Sequence, residues 1–486
     1  MSYETAVARM YALGHELTQT PSHKFDLAHM RVLLSALNRP EQRFPGVLIA
    51  GTNGKGSTAA TLAAILQVSG FRTGLYTSPH LVRINERIRI DGSEISDDDF
   101  ALLHDLVDRT AERLVEEGEL PWHPSFFEML TAIAFEYFAQ NKVEIAVLEV
   151  GMGGRLDATN VIEPRVSVIT DISLDHQKFL GDSIAEIARE KAGIIRPGGM
   201  VVTLPQQPQA NDVIGNTILE LGARGVSAVP YVPPVSPASG QYFHYCHSEG
   251  TSAPEESAVS GQRSWTAGNA KEGAKSAKKN VSYPTAAYLS RYPLQVMGQQ
   301  ILVETPLVGR HQLRNVALAV AAAEELSKQG FTITPESIER GIRETRWPGR
   351  FQVIPAADGL PEYVFDAAHN PAGAWALRST LSACYEDRPL TCVFGAMRDK
   401  AIREIAEVLF PLAERVIATR ADNPRSATAD EIRQAAARTS VDIEEVPDVA
   451  SALDRATNLA GPGGVVVITG SIYIVGEAMR VLGIRV

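Results

Sequence analysis

The stretch GVLIAGTNGKGSTAATLAAIL, residues Gly46–Leu66, constrains the fold of this chain most strongly. It opens with a short apolar run, passes through a glycine-rich turn and ends in a segment with helical spacing of apolar residues. A strand that enters a helix through such a turn presents backbone N–H groups and the helix N-terminus to an anion, and Lys55 adds a positive charge. The stretch therefore predicts a nucleotide phosphate site.

The loop departs from the common phosphate-loop pattern G-x-x-x-x-G-K-[ST] at two positions. Ile49 stands at the place of the first glycine, and Gly56 follows Lys55 where a hydroxyl residue is expected. A hydroxyl group for Mg²⁺ would then come from Ser57 or Thr58.

Further apolar runs have the same design as the first. TGLYTS (Thr73–Ser78), EIAVLEVG (Glu144–Gly151) and RVSVITDI (Arg165–Ile172) are separated by helical or polar segments. Continuous apolar strands between helices predict an α/β fold with a parallel-rich sheet that is covered on both faces. Ligands of such sheets bind at the carboxyl ends of the strands.

A second α/β pattern begins after RETRWPGRF, where Pro348 and Gly349 interrupt the helical spacing. We therefore predict a larger N-terminal α/β unit of residues 1–347 and a smaller C-terminal α/β unit of residues 348–486. The segment from about residue 242 to about residue 283 is rich in Ser, Ala, Gly, Lys and Glu, and this composition predicts a flexible insertion.

We expect deletion of residues 249–279 to leave turnover unchanged, because this composition offers too little apolar surface to form part of a core. Steady-state rates of the shortened and full chains would check this, and a collapse of kcat would give the insertion a role.

Composition excludes several classes of function. The net charge of −11 argues against a general nucleic-acid surface, and three cysteines without a C-x-x-C pair give no thiolate metal site. No apolar run approaches the ~18 residues of a membrane span, and the charged N-terminus does not resemble a signal peptide. We expect a cytoplasmic protein without nucleic-acid or membrane partners.

Several charged residues stand at predicted strand ends. Glu149 ends a buried strand beside the phosphate loop, where a carboxylate can hold Mg²⁺, and His176 follows the next strand as a candidate metal or phosphate contact. Asp366 and His369 stand at a strand end of the C-terminal unit, where a carboxylate often bonds ribose hydroxyls. Phosphate-binding residues on two units predict a nucleotide held across a cleft that closes.

Two further cations stand near predicted helix ends. Arg350 lies at the proposed hinge and is a suitable partner for phosphate groups. Lys191 lies near the end of an amphipathic helix, and its spacing indicates only a charge that complements the helix dipole.

The motifs of the chain, taken together, resemble one family. AGTNGKGST, YTSPHLVRINERI, LEVGMGGRLDATN, SLDHQKFLG, EKAGIIRPG, GRHQLRN, RWPGRF, DAAHNPAG, VFGAMRDK and GSIYIVGE occur in the order found in folylpolyglutamate synthases and dihydrofolate synthases, members of the Mur ligase superfamily. The resemblance spans nearly the whole chain apart from the insertion. It implies a P-loop-containing N-terminal ATPase domain of residues 1–347 with a parallel-rich sheet, and a smaller Rossmann-like C-terminal glutamate-ligase domain of residues 348–486. Ala367 departs from the family's usual glycine in DAAHNP.

The resemblance implies roles for individual residues. Lys55, His176 and Lys191 would be catalytic, and Lys191 matches the lysine that is carbamylated in the superfamily. The implied ATP-binding residues are Gly51, Thr52, Asn53, Gly54, Lys55, Gly56, Ser57, Thr58, Asn315, Arg350, Asp366 and His369. The implied metal contacts are Ser57, Ser78, Glu149 and His176. A loop that closes over the substrate would include Pro79, His80 and Arg83.

The resemblance also implies the reaction. ATP, with one or two Mg²⁺ ions, would convert a pteroate carboxylate to an acyl phosphate, and the amine of L-glutamate would then displace phosphate from it. The substrates would be L-glutamate and either dihydropteroate or a reduced folate. The chain would be a monomer. Which of the two glutamate additions it performs stays open. A peptidoglycan-precursor ligase is disfavoured because such enzymes usually have a separate N-terminal UDP-binding domain, and only residues 1–45 precede the first strand here. A P-loop switch ATPase is disfavoured because it would leave Asp366 and His369 unexplained.

Overall fold

Residues 1–14, 27–234 and 288–484 are described by the computed structural model. They form two α/β units, each built on one sheet with mostly parallel strands, and this confirms the predicted fold class. The insertion predicted at about 242–283 lies outside the described residues. Within the described ranges, no helix is both long and apolar enough to cross a membrane.

The first unit has an eight-stranded sheet in the order β4-β3-β2-β5-β1-β6-β7-β8. All neighbours are parallel except β2 with β3 and β3 with β4. The strands are β1 (Gly46–Ala50), β2 (Thr73–Tyr76), β3 (Ile88–Ile90), β4 (Ser93–Glu94), β5 (Ile145–Glu149), β6 (Pro164–Ile169), β7 (Met200–Thr203) and β8 (Arg224–Ser227).

Helices cover both faces of this sheet, as the continuous apolar strands predict. They are α1 (Tyr3–Ala12), α2 (Leu27–Ala36), α3 (Lys55–Val68), α4 (Asp97–Glu116), α5 (Phe126–Gln140), α6 (Gln177–Leu180), α7 (Ile184–Ala192) and α8 (Pro208–Glu220). Along β1, Leu48 belongs to one apolar core, whereas Val47 and Ile49 belong to the core on the opposite face. The loop after β1 therefore leaves from the centre of a rigid sheet.

A hairpin and two helices complete the first unit after the insertion. They are β9 (Ser290–Val296), β10 (Gln299–Thr305), α9 (Arg310–Ser327) and α10 (Pro335–Glu344). The Ala-rich α9 packs against α3 and buries most of its length. Its first turn thereby lies beside the glycine-rich loop.

The second unit has a six-stranded sheet in the order β11-β12-β16-β13-β14-β15, parallel except for β11. Its strands are β11 (Gln352–Ile354), β12 (Glu362–Phe365), β13 (Leu390–Phe394), β14 (Arg415–Ala418), β15 (Ile443–Glu445) and β16 (Val465–Thr469). Its helices are α11 (Pro371–Cys384), α12 (Ile402–Leu409), α13 (Ala429–Ala435), α14 (Val449–Ala460) and α15 (Ile472–Val481). The domain limit predicted between residues 347 and 348 falls in the segment that joins α10 to β11.

Candidate active site

The glycine-rich loop connects the carboxyl end of β1 to the first turn of α3. The backbone N–H groups of Thr52 and Asn53 donate to the carbonyl of Asp171, at 2.8 and 3.2 Å, which fixes the loop to the segment after β6. Gly54 has φ +89°, and an ideal Cβ placed on it would lie 2.2 Å from Asn315 Oδ1. Only glycine fits both that conformation and that neighbour.

The glycine after Lys55 has a steric explanation. A Cβ built on Gly56 would lie 2.6 Å from Cζ2 of the Trp347 indole, which comes from the segment joining the two units. The buried Nε1 of Trp347 has no hydrogen-bond partner within the described part of the chain. Gly56 is therefore the position where the joining segment packs directly onto the phosphate loop.

A cavity of about 470 Å³ lies over this loop and reaches the second unit; we call it the phosphate-loop cavity. Residues 51–57 line it together with the sequence-predicted residues Ser78, Pro79, Glu149, His176, Lys191, Asn315, Arg350, Asp366 and His369. The predicted ATP-binding residue Thr58 is not among the lining residues; it is fully buried, and its hydroxyl donates to the Asn315 carbonyl at 3.4 Å. The fold thus brings together residues that lie more than 300 positions apart.

Glu149 lies at the floor of this cavity and is only 4% exposed. Its Oε2 accepts a hydrogen bond from the backbone N–H of Ser78 at 3.2 Å. Burial raises the pKa of Glu149, whereas the positive charges of Lys55 and Arg350 act in the opposite direction. A buried carboxylate facing these cations suits a site that holds a metal ion with phosphate groups.

Lys191 does not point to solvent at its helix end, as a dipole-complementing lysine would. Its side chain is buried, and Nζ donates to the carbonyl of Gly51 at 2.7 Å. Burial, together with the charge of Lys55, lowers the pKa of Lys191 to about 7. A fraction of this amine is therefore neutral and nucleophilic at neutral pH.

Close packing of the glycine run after β5 holds the helix of Lys191 in place. A Cβ on Gly154 would lie 2.7 Å from the Glu190 carbonyl and 3.1 Å from Lys191 Cα. Likewise, a Cβ on Gly193 would lie 2.3 Å from Arg155 Cβ. These glycines let α7 approach the loop after β5 closely, and in this position Lys191 reaches the phosphate loop.

Asp175 forms an ionic contact between the two units, and sequence reasoning did not select it as a site residue. Its carboxylate lies 2.6 Å from Lys400 Nζ, and Asn370 Nδ2 donates to it at 3.3 Å. Burial alone would raise the pKa of Asp175, but the neighbouring His369, His176 and Lys400 side chains bring it well below its usual value. The carboxylate is therefore ionised and holds three side chains of the second unit over the phosphate loop.

His176 follows Asp175 in a left-handed conformation with φ +51°. Burial lowers the pKa of His176 to about 3, and the nearby charges of Lys400 and Lys55 add to this effect. A neutral imidazole is the form that can coordinate a metal ion. On the second unit, Nδ1 of His369 donates to the Ala367 carbonyl at 2.9 Å, which leaves Nε2 facing Asp175 at 3.6 Å.

Asp366 lies at the end of β12, as its sequence pattern predicts, and is 6% exposed. Its two oxygens accept backbone N–H groups of Phe351 and Ala368 at 2.9 and 3.0 Å. Burial raises the pKa of Asp366, and the charge of Arg350 opposes this. The carboxylate is thus fixed in direction on the wall of the phosphate-loop cavity.

The protein alone supplies only some of the ligands that a Mg²⁺ ion needs. Ser57, Ser78, Glu149 and His176 offer hydroxyl, carboxylate and imidazole donors on one cavity. Among the described residues, no three His, Cys, Asp or Glu side chains gather as a metal-binding group. Mg²⁺ sites in proteins usually combine one or two carboxylates with water molecules and substrate phosphates.

A second cavity, of about 170 Å³, adjoins the first; we call it the apolar cavity. Its apolar wall on the first unit consists of Leu27, Met30, Phe127, Met152, Leu156 and Ala158. The second unit contributes Met397, Ile472 and Tyr473, and two cations, Lys400 and Arg425. Asp157, also on this wall, has a pKa that burial raises to about 6. Apolar walls beside two cations suit a molecule with an apolar body and carboxylate groups.

The predicted substrate loop borders both cavities at Ser78 and Pro79. His80 and Arg83 do not line either cavity. His80 Nδ1 accepts from Arg87 Nε at 2.8 Å, and the guanidinium of Arg83 pairs with Asp97. In this structure those two side chains hold the loop itself.

Sequence reasoning missed Trp347, Asp157, Asp175, Lys400 and Arg425 as site residues. Asp175 and Asp157 lie within the quoted motifs SLDHQKFLG and LEVGMGGRLDATN, and a carboxylate in the loop that follows a buried strand was the available signal. Lys400 and Arg425 come from loops after β13 and β14. Lys400 ends the quoted motif VFGAMRDK and Trp347 lies in RWPGRF, whereas no local pattern distinguishes Arg425 from a solvated cation.

Two comparisons of sequence agree with this architecture. Residues 126–218 match the family model of the Mur ligase middle domain, and residues 349–472 match that of the Mur ligase, glutamate ligase domain. The chain is 32% identical over 458 residues to the dihydrofolate synthase/folylpolyglutamate synthase of Bacillus subtilis (strain 168), covering 93% of this chain and 94% of the relative.

Solved structures are similar over nearly the whole chain. The folylpolyglutamate synthase (FPGS) of Mycobacterium tuberculosis, complexed with ADP and AMPPCP, matches with a TM-score of 0.78 and 31% identity over 99% of both chains. An FPGS–AMPPCP–folate complex matches with a TM-score of 0.73 and 30% identity over 99% of this chain and 100% of that one. The chain therefore belongs to the dihydrofolate synthase/folylpolyglutamate synthase family and is an ATP-dependent ligase of the Mur type.

Proposed function

We propose that the protein adds L-glutamate to reduced folates and to dihydropteroate through an acyl phosphate, releasing ADP and phosphate. One observation carries this proposal: the two cavities meet. Seven residues line both of them, namely Ser78, Pro79, Gly151, Met152, His176, Arg350 and His369. A carboxylate at the end of a molecule in the apolar cavity would therefore face the phosphate groups of a nucleotide on the loop.

The first step forms a bond between a carboxylate oxygen of the pterin substrate and the γ-phosphorus of ATP, and breaks the bond to the β-phosphate oxygen. Lys55, Arg350 and His369 surround this point and offer positive charge or N–H donors. Phosphoryl transfer depends chiefly on such positioning and charge neutralisation. Mg²⁺ held by Ser57, Ser78, Glu149 and His176 would supply further charge neutralisation at the phosphates.

The second step forms the amide bond. The unprotonated amine of L-glutamate attacks the acyl carbon, phosphate leaves, and the nitrogen loses one proton. Lys400 and Arg425 on the second unit provide cations for substrate carboxylates beside this point. We propose a monomer as the active form.

Lys191 is proposed to act as a carbamate. Its buried amine with a lowered pKa reacts with CO₂ in the neutral form, and the product is an anion on a long side chain beside the phosphate loop. Such a group would act like a carboxylate towards a metal ion that the ATP phosphates share.

Activity with two pterins tests the proposal directly. Protein incubated with ATP, Mg²⁺, L-glutamate and either dihydropteroate or tetrahydrofolate should release phosphate in each case. Mass spectrometry of the products should show addition of one glutamyl residue to each pterin.

Separate reactions distinguish the two activities from each other. Glutamylation of only one pterin would restrict the proposal to that substrate. ATP hydrolysis that is independent of both pterins, without a glutamylated product, would refute it.

A further inference from the structure

Gln206 lies in the segment between β7 and α8 and contacts the segment that follows β6. Its Oε1 accepts the backbone N–H of Ile172 at 3.1 Å, and its Nε2 donates to the carbonyl of Thr170 at 3.1 Å. The two bonds enclose Asp171, whose carbonyl accepts two N–H groups of the phosphate loop. Gln206 therefore holds the peptide units on both sides of the residue to which that loop is bound.

This side chain stands where the sheet offers no further strand pairing. The parallel register of β6 with β7 ends at Ile169 and Thr203. Thr170 and Ile172 lie beyond that last pair, and their backbone groups still need hydrogen-bond partners. An amide side chain carries a donor and an acceptor as a peptide unit does, so Gln206 continues the strand pairing by one step.

The backbone around Gln206 is itself held by two side chains from helices. Asn211, in α8, accepts the Gln206 N–H at 2.9 Å and donates to the Gln206 carbonyl at 3.0 Å. Arg314, in α9, donates to the carbonyl of Pro205 at 3.1 Å and to both carboxylate oxygens of Asp171, at 2.6 and 3.2 Å. Gln206 is thus fixed before it contacts the segment after β6.

The segment after β6 binds the phosphate loop at further points. The Thr52 hydroxyl donates to the Ser173 carbonyl at 3.0 Å, and Asn53 Nδ2 donates to Ser173 Oγ at 3.2 Å. The same segment continues to His176, which lines the phosphate-loop cavity. A shift of this segment would therefore move the loop and His176 together.

We propose that Gln206 is a positioning residue for phosphoryl transfer, which sets the place of the phosphate loop through the peptide units around Asp171. Its effect passes through the backbone, because its amide is bonded to Thr170 and Ile172. Catalysis is sensitive to shifts of about 1 Å in such groups. The proposal rests on ATP-dependent ligation and is independent of the proposed pterin substrates.

Gln206→Met tests the role, because it keeps the length of the side chain and removes both hydrogen bonds. Gln329→Met is the matched control: Gln329 Nε2 donates to the carbonyl of Arg165 at 3.2 Å, near the other end of β6. Hydrogen–deuterium exchange of the ligand-free proteins is followed by mass spectrometry on peptides that span residues 50–57. Exchange should be several-fold faster in Gln206→Met than in the wild type or Gln329→Met, because the loop N–H groups lose a fixed acceptor.

Nucleotide affinity and turnover should change with the loop. Isothermal titration should show about tenfold weaker binding of AMPPCP to Gln206→Met, the size expected when two hydrogen bonds that order a binding loop are lost. With a pterin that is turned over, kcat at saturating ATP should fall by about tenfold or more. Gln329→Met should keep wild-type values of both.

Two outcomes would overturn the proposal. A lower melting temperature of Gln206→Met with wild-type loop exchange, affinity and kcat would make Gln206 a purely structural residue. Weaker AMPPCP binding without faster exchange in the ligand-free protein would mean that Gln206 contacts the nucleotide directly.

Gln206→Glu serves if Gln206→Met fails to fold. It retains an acceptor for the Ile172 N–H but places a negative oxygen against the Thr170 carbonyl, so loop exchange should again be faster than in the wild type. Wild-type exchange in this variant would also overturn the proposal. If neither pterin is glutamylated while exchange and AMPPCP affinity change as expected, the proposed function fails and the role of Gln206 stands.

Discussion

Lys191→Ala is expected to lower kcat by roughly 10²–10³-fold, the size typical of losing one preorganised group that stabilises a transition state. The wild-type amine lies in a buried position 2.7 Å from the Gly51 carbonyl, and its pKa is lowered to about 7. The neutral amine can bond to CO₂ and lose a proton, which gives a carbamate. Steady-state phosphate release measures the loss.

Chemical rescue of the Lys191→Ala variant distinguishes a carbamate from a lysine with a purely structural role. Short carboxylic acids such as acetate should partly restore turnover of Lys191→Ala, because they replace the lost anion in the vacated space. In the wild type, ¹³C-labelled bicarbonate should give a carbamate signal by NMR. Arg189→Ala, which removes an exposed cation from the same helix, is the control and should keep wild-type activity.

The pH dependence has a definite sign. A lysine with a lowered pKa is neutral above that pKa and protonated below it, so carbamate formation should fall as the pH falls through about 7. At fixed dissolved CO₂, wild-type kcat should decline over this window, whereas Lys191→Ala with acetate should not show the same step. A folded Lys191→Ala protein with near wild-type turnover and no rescue would contradict the carbamate.

The fold was largely predictable because its central strands are apolar on both faces. The segments around Val47, Val147 and Val168 read as buried strands, and they form the adjacent β1, β5 and β6. The antiparallel β3 and β4 were not predicted. They are short edge strands, with three and two residues, and so carry little periodic pattern.

Site residues were predictable where the surrounding motif itself shows the strand end or glycine turn that positions them. Lys55 and Glu149 follow directly from a strand end and a glycine turn. The Lys400–Asp175 pair gave no such signal, because its members are 225 positions apart and meet only when the units pack. Lys191 is an intermediate case, since its local pattern indicates a helix end and only the packing of Gly154 turns it towards the loop.

Gly56→Ser is expected to lower kcat/KM for ATP by roughly 10–100-fold, as one or two misplaced contacts at the phosphates would. The added Cβ would lie 2.6 Å from the Trp347 indole, so either the first turn of α3 or the joining segment must move. Isothermal titration with AMPPCP and steady-state kinetics measure the effect. Gly215→Ala, where a Cβ has no neighbour within 4 Å, should leave both unchanged.

A double-mutant cycle assigns the loss to the indole. If the clash with Trp347 is the cause, Gly56→Ser should cost far less in a Trp347→Ala background than in the wild type, with a coupling of about 0.5–3 kcal/mol. Equal costs in both backgrounds would mean that the serine itself disturbs the phosphate site.

The same variants locate the metal-binding hydroxyl. If Ser57 takes the role that the common pattern gives to the residue after lysine, Ser57→Ala should remain impaired when combined with Gly56→Ser and Trp347→Ala. Recovery of activity in that triple variant would show that a hydroxyl at position 56 can serve. The departure from the common pattern would then result from the packing of Trp347 alone, since the phosphate chemistry would accept either position.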